Sequence, residues 1–368
     1  MAGHTSPRPL ARAQTFAERM GVRVPILLAP MAGACPPSLS VAVGNAGALG
    51  ACGALLMSPG AISSWCEEFR RGSHGEFQVN LWIPDPPPAR NPELEAKQRE
   101  FLSRWGPPVS PDAGDAVLPD FHAQCEAVLA AKPRVISSIM GVYAPEFVRE
   151  MKPRGILWFA TTTTVDEARA AEAAGADAII AQGMEAGGHR GAFRADQAES
   201  QLVGLIALVP QVADAVSIPV IATGGIADAR GVAAALMLGA SAVMIGTGFL
   251  RARESGVSPV YADRLGAVEA HATALTRAFT GRAGRGIVNA YVRASAEAGL
   301  APAPYPVQRG FTRAMRDAAI QAGDAECMQM WSGQAAKLAQ ARPAAEIVQQ
   351  LWEGALQLLR GVAENQGQ

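Results

Sequence analysis

The sequence predicts an α/β fold: a (β/α)8 barrel of the TIM type with a smaller, mainly helical C-terminal segment that covers its active site. Three observations predict it. Eight short apolar runs recur between residues 24 and 250. The runs are apolar along their whole length, which is typical of parallel strands covered on both faces. Helix-like stretches separate them, and eight strand–helix units of this size match a (β/α)8 barrel.

Each apolar run is a predicted strand. In chain order the runs are VPILLA (24–29), ALGACGAL (48–55), EFQVNLW (76–82), RVISSIM (134–140), GILWFATT (155–162), DAIIAQG (177–183), PVIATGG (219–225) and AVMIGTGFL (242–250).

The clearest predicted helix is VDEARAAEAAGAD (165–177), for which Gly175 is a plausible C-terminal cap. The stretch DARGVAAALMLGA (228–240) has the same form. A doubly wound open sheet is the rival fold, since periodicity alone does not distinguish it from a barrel. No GxGxxG motif follows the first run, which weakens the dinucleotide-binding version of that rival.

The predicted organisation has three parts. A barrel spans 20–260, a helical and loop segment covering the active site spans 261–335, and a closing helix spans 336–368. A proline-rich excursion follows the third run, at 83–121, and long excursions after barrel strands usually shape the active-site mouth. The chain ends in an amphipathic helix, PAAEIVQQLWEGALQLLRG (343–361).

Composition excludes several classes of function. The net charge of −1 and pI near 6.5 give no support for a nucleic-acid or anionic-membrane surface. The five cysteines are scattered without a CxxC pair, so neither a metal site nor a disulfide framework is indicated. No secretory signal or apolar run of transmembrane length is seen. We therefore expect a cytoplasmic protein, a monomer or homodimer, with no bound metal.

Candidate site residues follow from the rule that barrel active sites lie at the C-terminal ends of the strands. The loops after the seventh and eighth strands commonly hold a phosphate, because glycines let backbone N–H groups approach the anion. Here those loops contain Gly224 and Gly225, then Gly246 and Thr247. The alternative is that these glycines only make tight turns, but their occurrence at both positions favours a phosphate.

His189 is the candidate catalytic residue. Of the five histidines, it alone is predicted in a loop just past the C-terminal end of a strand, in the stretch AQGMEAGGHRGAF (181–193). An imidazole can accept or donate a proton near neutral pH. Glu185 is the alternative base, unless it pairs with Arg190 or a backbone amide. Cys35 and Cys52 have no base beside them in sequence, so we interpret them as small buried hydrophobic residues.

These motifs, in this order, resemble the nitronate monooxygenase family, formerly called 2-nitropropane dioxygenases, which are FMN-dependent (β/α)8 barrels. The resemblance runs from about residue 20 to the end of the chain. The matching stretches are VPILLAPMAG, FQVNLWIP, the segment from TTTTVDEARA to EAGGHRGAF, the segment from IPVIATGG to MIGTGFL, TRAFTGRAGRGIVN, APAPYP and WSGQ.

The resemblance implies a role for particular residues. Pro30, Met31 and Ala32 would line the isoalloxazine of FMN, and Gly224, Gly225, Gly246 and Thr247 would hold its phosphate. His189 would bind the nitronate or act as a base on a nitroalkane. The remaining implied cofactor contacts are Asn80, Gln182, Gly187 and Gly188.

Two departures from the family pattern affect the site. Relatives usually carry a glutamine where this chain has Met244, so only a backbone contact to the cofactor is expected there. The stretch SSIMG (137–141) stands where relatives read close to SFxFG, which alters the wall near the flavin.

The implied function is FMN-dependent oxidation of alkyl nitronates, with nitroalkanes as the other candidate substrates, by O2 to a carbonyl compound and nitrite. An FMN-dependent NAD(P)H enoyl or quinone reductase on the same barrel is the main alternative. Two further alternatives are a non-redox phosphate-binding isomerase or lyase, and a relative without catalytic activity that keeps FMN as a structural ligand. The cluster CMQMWSGQ (327–334) is interpreted as core packing, with WSGQ able to fold over the barrel mouth.

Overall fold

The computed structural model describes residues 9–364 and, within the last helix, side chains as far as residue 361; the final four residues of the predicted closing segment lie outside this range. All eight apolar runs form strands of one parallel sheet. These eight strands are β1 (Ile26–Leu28), β2 (Gly50–Gly53), β3 (Phe77–Trp82), β4 (Val135–Ile139), β5 (Leu157–Thr162), β6 (Ala178–Gln182), β8 (Val220–Thr223) and β9 (Ala242–Ile245). A separate three-stranded sheet contains β7 (Gly188–His189), β10 (Thr273–Thr276) and β11 (Gly284–Ile287).

The large sheet closes into a barrel. Its eight strands run in the order β1-β9-β8-β6-β5-β4-β3-β2. When only these eight strands are counted, strands that are adjacent in the sheet are also consecutive in the chain. The remaining gap is closed between β1 and β2, where Leu27 and Leu49 form a parallel bridge. Leu28 N donates to Leu49 O at 2.9 Å, and Leu49 N donates to Ile26 O at 3.0 Å. This closure confirms the (β/α)8 barrel and excludes the doubly wound sheet.

Helices precede, separate and follow the barrel strands. In chain order, the helices are α1 (Pro9–Met20), α2 (Pro37–Asn45), α3 (Pro59–Gly72), α4 (Pro92–Leu102), α5 (Phe121–Ala131), α6 (Pro145–Met151), α7 (Val165–Ala173), α8 (Leu205–Ala215), α9 (Ala229–Met237), α10 (Pro259–Ala267), α11 (Ala290–Glu297), α12 (Val307–Phe311), α13 (Arg313–Ala322) and α14 (Ala344–Glu364).

Side-chain caps fix the starts of the two predicted helices. The Thr164 hydroxyl accepts from Glu167 N at the start of α7, and Asp228 accepts from Gly231 N at the start of α9. Gly175 follows α7 with φ +98°, a left-handed conformation that favours glycine and ends the helix.

The barrel has one core inside the sheet and another between the sheet and its helices. Phe159, Ile180 and Met244 point into the barrel, and Phe16 and Met20 of α1 pack against this inner cluster. The outer core joins the other strand faces to the surrounding helices. The closing helix α14 packs against α9 and α2, and thus against the outside of the barrel. No helix within residues 9–364 is long and apolar enough to cross a membrane.

Two features differ from the sequence prediction. The segment after α10 is not only helical, because β10 and β11 form an antiparallel pair. His189 does not lie in a loop: it belongs to the two-residue strand β7, which pairs with β11 so that His189 lies opposite Gly284. The pairing partner is almost a hundred residues away in sequence, so local pattern gives no signal for it.

Candidate active site

A cavity of about 450 Å³ lies at the C-terminal ends of the barrel strands. Its wall contains the predicted catalytic residue and all of the predicted cofactor contacts. They are Pro30, Met31, Ala32, Asn80, Gln182, Gly187, Gly188, His189, Gly224, Gly225, Met244, Gly246 and Thr247. A cavity of this size is in the range of small-molecule and cofactor sites.

Four of these residues form the glycine cradle: Gly224 and Gly225 after β8, and Gly246 and Thr247 after β9. Gly224 and Gly225 have φ of +115° and +68°, conformations that favour glycine. None of the four backbone N–H groups donates a hydrogen bond to any residue in 9–364. Free N–H groups from two neighbouring loops are the arrangement that binds phosphate in barrels of this type.

The loop after β1 lies against the glycine cradle. A Cβ added to Gly246 would lie 3.3 Å from Met31 Sδ. A Cβ added to Gly53 would lie only 2.7 Å from Ala32 N, so the end of β2 must be glycine for the loop to pass. Gly53 was not predicted as a site residue, because its role depends on a contact between neighbouring strands.

Two amides form part of the cavity wall. Asn80 Nδ2 donates to Ser137 Oγ at 3.1 Å, while its Oδ1 accepts no hydrogen bond from the described residues. Gln182 Oε1 accepts from Gly191 N at 2.8 Å and from Arg190 at 3.1 Å, and its Nε2 donates to His189 O at 3.1 Å. The Gln182 side chain therefore fixes the segment that carries His189, beyond any contact to a cofactor.

His189 is half-buried and enclosed by aromatic rings. Its ring lies 4.8 Å from the ring of Trp82 and 4.9 Å from that of Trp331, both edge-on. Nε2 lies 2.9 Å from Thr280 Oγ1, which donates to Arg282 O at 3.1 Å. The tautomer decides which partner donates in this contact: when Thr280 donates to Nε2, the ring proton lies on Nδ1. Nδ1 has no hydrogen-bond partner within residues 9–364, so in the tautomer that carries the proton there it can donate to a ligand in the cavity.

The electrostatic surroundings keep His189 neutral. Burial, together with the smaller effect of the positive charges of Arg282 and Arg309, lowers its pKa to about 3. Arg282 is almost fully buried, forms an ion pair with Asp85 and donates to Ala192 O at 2.7 Å. The same positive field that disfavours an imidazolium favours an anion in the cavity.

The roof of the cavity is defined here as His189 of β7 together with Thr280, Tyr305, Trp331 and Gly333 of the C-terminal segment. Gly333 N donates to Thr247 Oγ1 at 3.0 Å, which joins the roof to the glycine cradle. A Cβ on Gly187 would lie 2.4 Å from Gly333 N, so glycine at 187 lets the two segments cross. WSGQ therefore does fold over the barrel mouth.

Tyr305 is a site residue that the sequence reasoning did not single out. Its ring lies 5.6 Å from that of Trp82. Its hydroxyl is buried and has no hydrogen-bond partner among the described residues. Burial raises the pKa of Tyr305 to about 12, so it is a neutral donor at physiological pH. The APAPYP motif was the available signal, but its place over the cavity depends on the fold of the whole C-terminal segment.

Glu185 and the cysteines have structural roles in this geometry. The Glu185 carboxylate accepts from Leu205 N at 2.9 Å, so it holds the start of α8 rather than pairing with Arg190. It is absent from the cavity wall as the structure describes it. Cys35 and Cys52 are buried free thiols, and burial raises the pKa of each. Their interpretation as packing residues agrees with these surroundings.

The departures from the family pattern also lie at the cavity. Met244 is buried in its wall, where its carbonyl accepts from Thr223 Oγ1 at 2.9 Å. In the stretch SSIMG, Ile139 contributes to the cavity wall. Met140 has φ +70° and is buried, so its side chain packs away from the solvent despite an unusual backbone.

Comparison with known proteins assigns the chain to a family. The nitronate monooxygenase family model matches residues 14–354. A probable nitronate monooxygenase of Staphylococcus aureus (strain MSSA476) is 35% identical over 338 residues, covering 90% of this chain and 94% of its own.

Two solved structures are similar over almost the whole chain. Nitroalkane oxidase from Streptomyces ansochromogenes superposes with a TM-score of 0.87 at 34% identity, covering 95% of this chain and 99% of its own. FabK from Thermotoga maritima superposes with a TM-score of 0.75 at 29% identity, covering 95% and 98%. Because the family model and these relatives match almost the whole chain, this chain belongs to the nitronate monooxygenase family of oxidoreductase enzymes.

Proposed function

We propose that this protein binds FMN and oxidises alkyl nitronates with O2 to a carbonyl compound and nitrite. The observation that carries the proposal is the position of His189: a neutral imidazole at the mouth of a barrel whose opposite wall is a glycine cradle. Family membership supports the reaction class. The S. ansochromogenes structure, described as a nitroalkane oxidase, supports the nitro-compound substrate.

The residues present fit FMN. The glycine cradle offers unpartnered N–H groups to a phosphate, and the loop of Pro30, Met31 and Ala32 offers an adjoining surface for the ring system. The free Oδ1 of Asn80 can accept from a ring N–H. When bound, FMN would supply the redox chemistry by taking electrons from the nitronate and passing them to O2.

The protein's own task is to bind and orient an anion. The positive field of Arg282 and Arg309 around His189 favours a preformed nitronate over a neutral nitroalkane. A histidine with a pKa near 3 is also a weak base for removing an α-proton at neutral pH. We therefore assign His189 to binding the nitro group, with proton abstraction from nitroalkanes as a slower reaction.

The roof would exclude water and complete the substrate site. Trp82 and Trp331 enclose the His189 ring from two sides, which restricts its rotation. The unpartnered Tyr305 hydroxyl is a donor for a nitronate oxygen. Such a site holds the reacting carbon in a fixed orientation in a dry environment.

A direct assay tests the proposed function. The purified protein should show the visible spectrum of FMN, and adding propane-2-nitronate should cause O2 consumption and nitrite release. Rapid anaerobic reduction of the flavin by NAD(P)H without a nitronate would instead support the reductase alternative. A colourless protein that retains no FMN would favour a non-redox barrel and overturn the proposal.

A further inference from the structure

Arg190 follows His189 in the chain, and its side chain is fully buried. Burial lowers the pKa of its guanidinium to about 10, so the group is still a cation at neutral pH. Nη1 donates to Gly183 O at 2.8 Å and to Gln182 Oε1 at 3.1 Å. Nε and Nη2 are buried and have no hydrogen-bond partner among the described residues. The guanidinium therefore contacts the side chain of a cavity residue while part of it stays unpaired.

The negative charges that favour the Arg190 cation come from two carboxylates that have other hydrogen-bond partners. These carboxylates are Glu167 and Glu185. Glu167 accepts from Phe193 N at 2.7 Å, and Glu185 accepts from Leu205 N at 2.9 Å. A buried cation with unpaired N–H groups costs folding free energy, because burial removes the water that would otherwise solvate it.

Stability alone does not account for Arg190. Its two closest acceptors each have a second donor: Gly183 O accepts from Ala186 N at 3.2 Å, and Gln182 Oε1 accepts from Gly191 N at 2.8 Å. An apolar side chain of similar length in place of the arginine would leave neither of these acceptors unpaired. Such replacements of buried charges are often neutral or stabilising. The contact with Gln182 therefore indicates a role other than stability.

The side-chain amide of Gln182 satisfies its contacts in only one of its two orientations. Gly191 N and the Arg190 guanidinium are donors only, so the atom that both contact is the amide oxygen. His189 O is an acceptor only, so the atom 3.1 Å from it is the amide nitrogen. Nε2 carries a second N–H, which has no acceptor among residues 9–364. Because Gln182 lies in the wall of the cavity, that N–H is available to a ligand there.

Arg190 makes the one charge-assisted hydrogen bond of the three that hold this amide. Charge-assisted bonds are roughly twice as strong as bonds between neutral groups. A cation at the amide oxygen also polarises the amide, so that the N–H groups on its nitrogen become better donors. Loss of Arg190 would therefore both loosen the Gln182 side chain and weaken its free N–H as a donor.

We propose that Arg190 is a positioning residue for the cofactor site: it holds Gln182 as an N–H donor to the ring system of FMN and strengthens that donor. This inference rests on the proposed function, in which FMN would occupy the cavity. A donor at this position favours the reduced ring, because its hydrogen bond strengthens as negative charge develops on the acceptor. Arg190 thus acts through Gln182 on the preference of the protein for reduced over oxidised FMN.

The affinities for the two oxidation states of FMN test the proposal without any nitronate. Flavin fluorescence measures the Kd of oxidised FMN, and the midpoint potentials of bound and free flavin give the ratio of the two Kd values. Arg190→Met should reduce the preference for reduced FMN about tenfold, or about 30 mV in a two-electron midpoint potential. Arg190→Lys keeps the positive charge and should lose less of this preference.

Arg285→Met is the matched control. Arg285 is also buried and its charge acts on Arg190, but its guanidinium donates to Met184 O at 2.9 Å and Thr273 O at 3.2 Å rather than to Gln182. The preference of this variant for reduced FMN should change less than about twofold, since no hydrogen bond to the amide is lost. Its Tm should fall more than that of Arg190→Met. Equal changes in FMN preference in the two methionine variants would overturn the proposal, because loss of a buried positive charge would then explain both.

Hydrogen exchange of the Gln182 side chain provides the second arm. Its Nε2 protons are assigned by the loss of their NMR signals in Gln182→Leu. They should exchange with solvent about tenfold faster in Arg190→Met than in the unchanged protein, since one of the bonds that hold the amide is lost. If the protein oxidises nitronates but Arg190→Met changes neither this exchange nor the FMN preference, the positioning role alone is wrong. If both change as expected but no nitronate is oxidised, the proposed function fails and the positioning role stands.

Discussion

The glycine cradle and the roof form opposite sides of one cavity, but they arise in different ways. The cradle consists of consecutive residues at the ends of β8 and β9, each placed by its own strand. The roof brings together Thr280, Tyr305 and Trp331 from distant parts of the C-terminal segment and joins them to β7. The cradle is thus a local consequence of the barrel, whereas the roof depends on long-range packing.

This difference suggests that the cradle and the roof have different functions. The cradle offers free N–H groups, which suit a phosphate that every FMN carries. The roof offers a neutral histidine, an unpartnered hydroxyl and a positive field, which suit a particular substrate. We therefore expect changes in the cradle to affect cofactor affinity, and changes in the roof to affect turnover.

The largest expected effect is a loss of turnover when a residue of the roof is replaced. His189→Asn should lower kcat/KM for propane-2-nitronate by about 100-fold, because the group that binds the nitro oxygens is lost. The FMN absorbance should be unchanged. Nitrite release and visible spectra measure the two quantities. Thr280→Val, which removes the partner of Nε2 but keeps the imidazole, is the comparison, and its loss should be smaller.

The next largest effect is on stability, and it tests whether the roof depends on the ion pair between Arg282 and Asp85, which are distant in sequence. Asp85→Asn should lower the free energy of unfolding by about 2 kcal/mol, because it leaves the buried Arg282 without a counter-charge. Urea unfolding measures the change. Asp166→Asn is the control: its 3.8 Å pair with Arg169 is exposed, and about 0.5 kcal/mol or less is expected. Similar losses in both variants would contradict the anchoring role of Asp85.

A smaller effect is expected in the cradle. Gly225→Ala introduces a Cβ at φ +68°, which costs roughly 1–2 kcal/mol and displaces the peptide N–H groups. We expect the Kd for FMN to rise about tenfold, measured by flavin fluorescence. Gly155→Ala is closely matched, since Gly155 has φ +69° with open space around it and is not part of the cavity wall. The prediction fails if both variants bind FMN equally well.

A pH dependence is expected as well, and near neutral pH it is the smallest of these effects. The folded pKa of His189 is about 3, below the value near 6.5 of an unfolded chain. Below pH 6.5 the unfolded state binds a proton that the folded state does not, so the contribution of His189 to stability decreases as pH falls towards 3. NMR of the imidazole nitrogens should show His189 neutral from pH 8 to about 5. A protonation midpoint near 6.5 in the folded protein would contradict the buried site.

The barrel and the cradle could be predicted from the sequence because their signals are local. A fully apolar run marks a buried strand, and a glycine pair after it marks a turn that leaves N–H groups free. The fold rule for strand ends then brings Gly225 and Gly246 into one place, although they are distant in sequence.

The roof could not be predicted in the same way. The β7–β11 pairing joins His189 to Gly284, and the contact of Gly333 with Thr247 joins WSGQ to the cradle. Neither contact can be predicted from hydrophobic periodicity, because each of the segments involved is short and lies in an irregular part of the chain. The ion pair of Arg282 with Asp85 is likewise visible only in three dimensions. The family resemblance named the motifs of the roof, but the structure alone gives their contacts.

Adding FMN back to a cradle variant and a roof variant tests the central claim most directly. Nitrite release from propane-2-nitronate is measured for Gly225→Ala and His189→Asn as FMN is raised to saturation. The account predicts that Gly225→Ala recovers nearly full turnover, while His189→Asn stays about 100-fold low although it is saturated with flavin. If His189→Asn instead loses FMN and recovers on its addition, His189 holds the cofactor, and the division between cradle and roof is wrong.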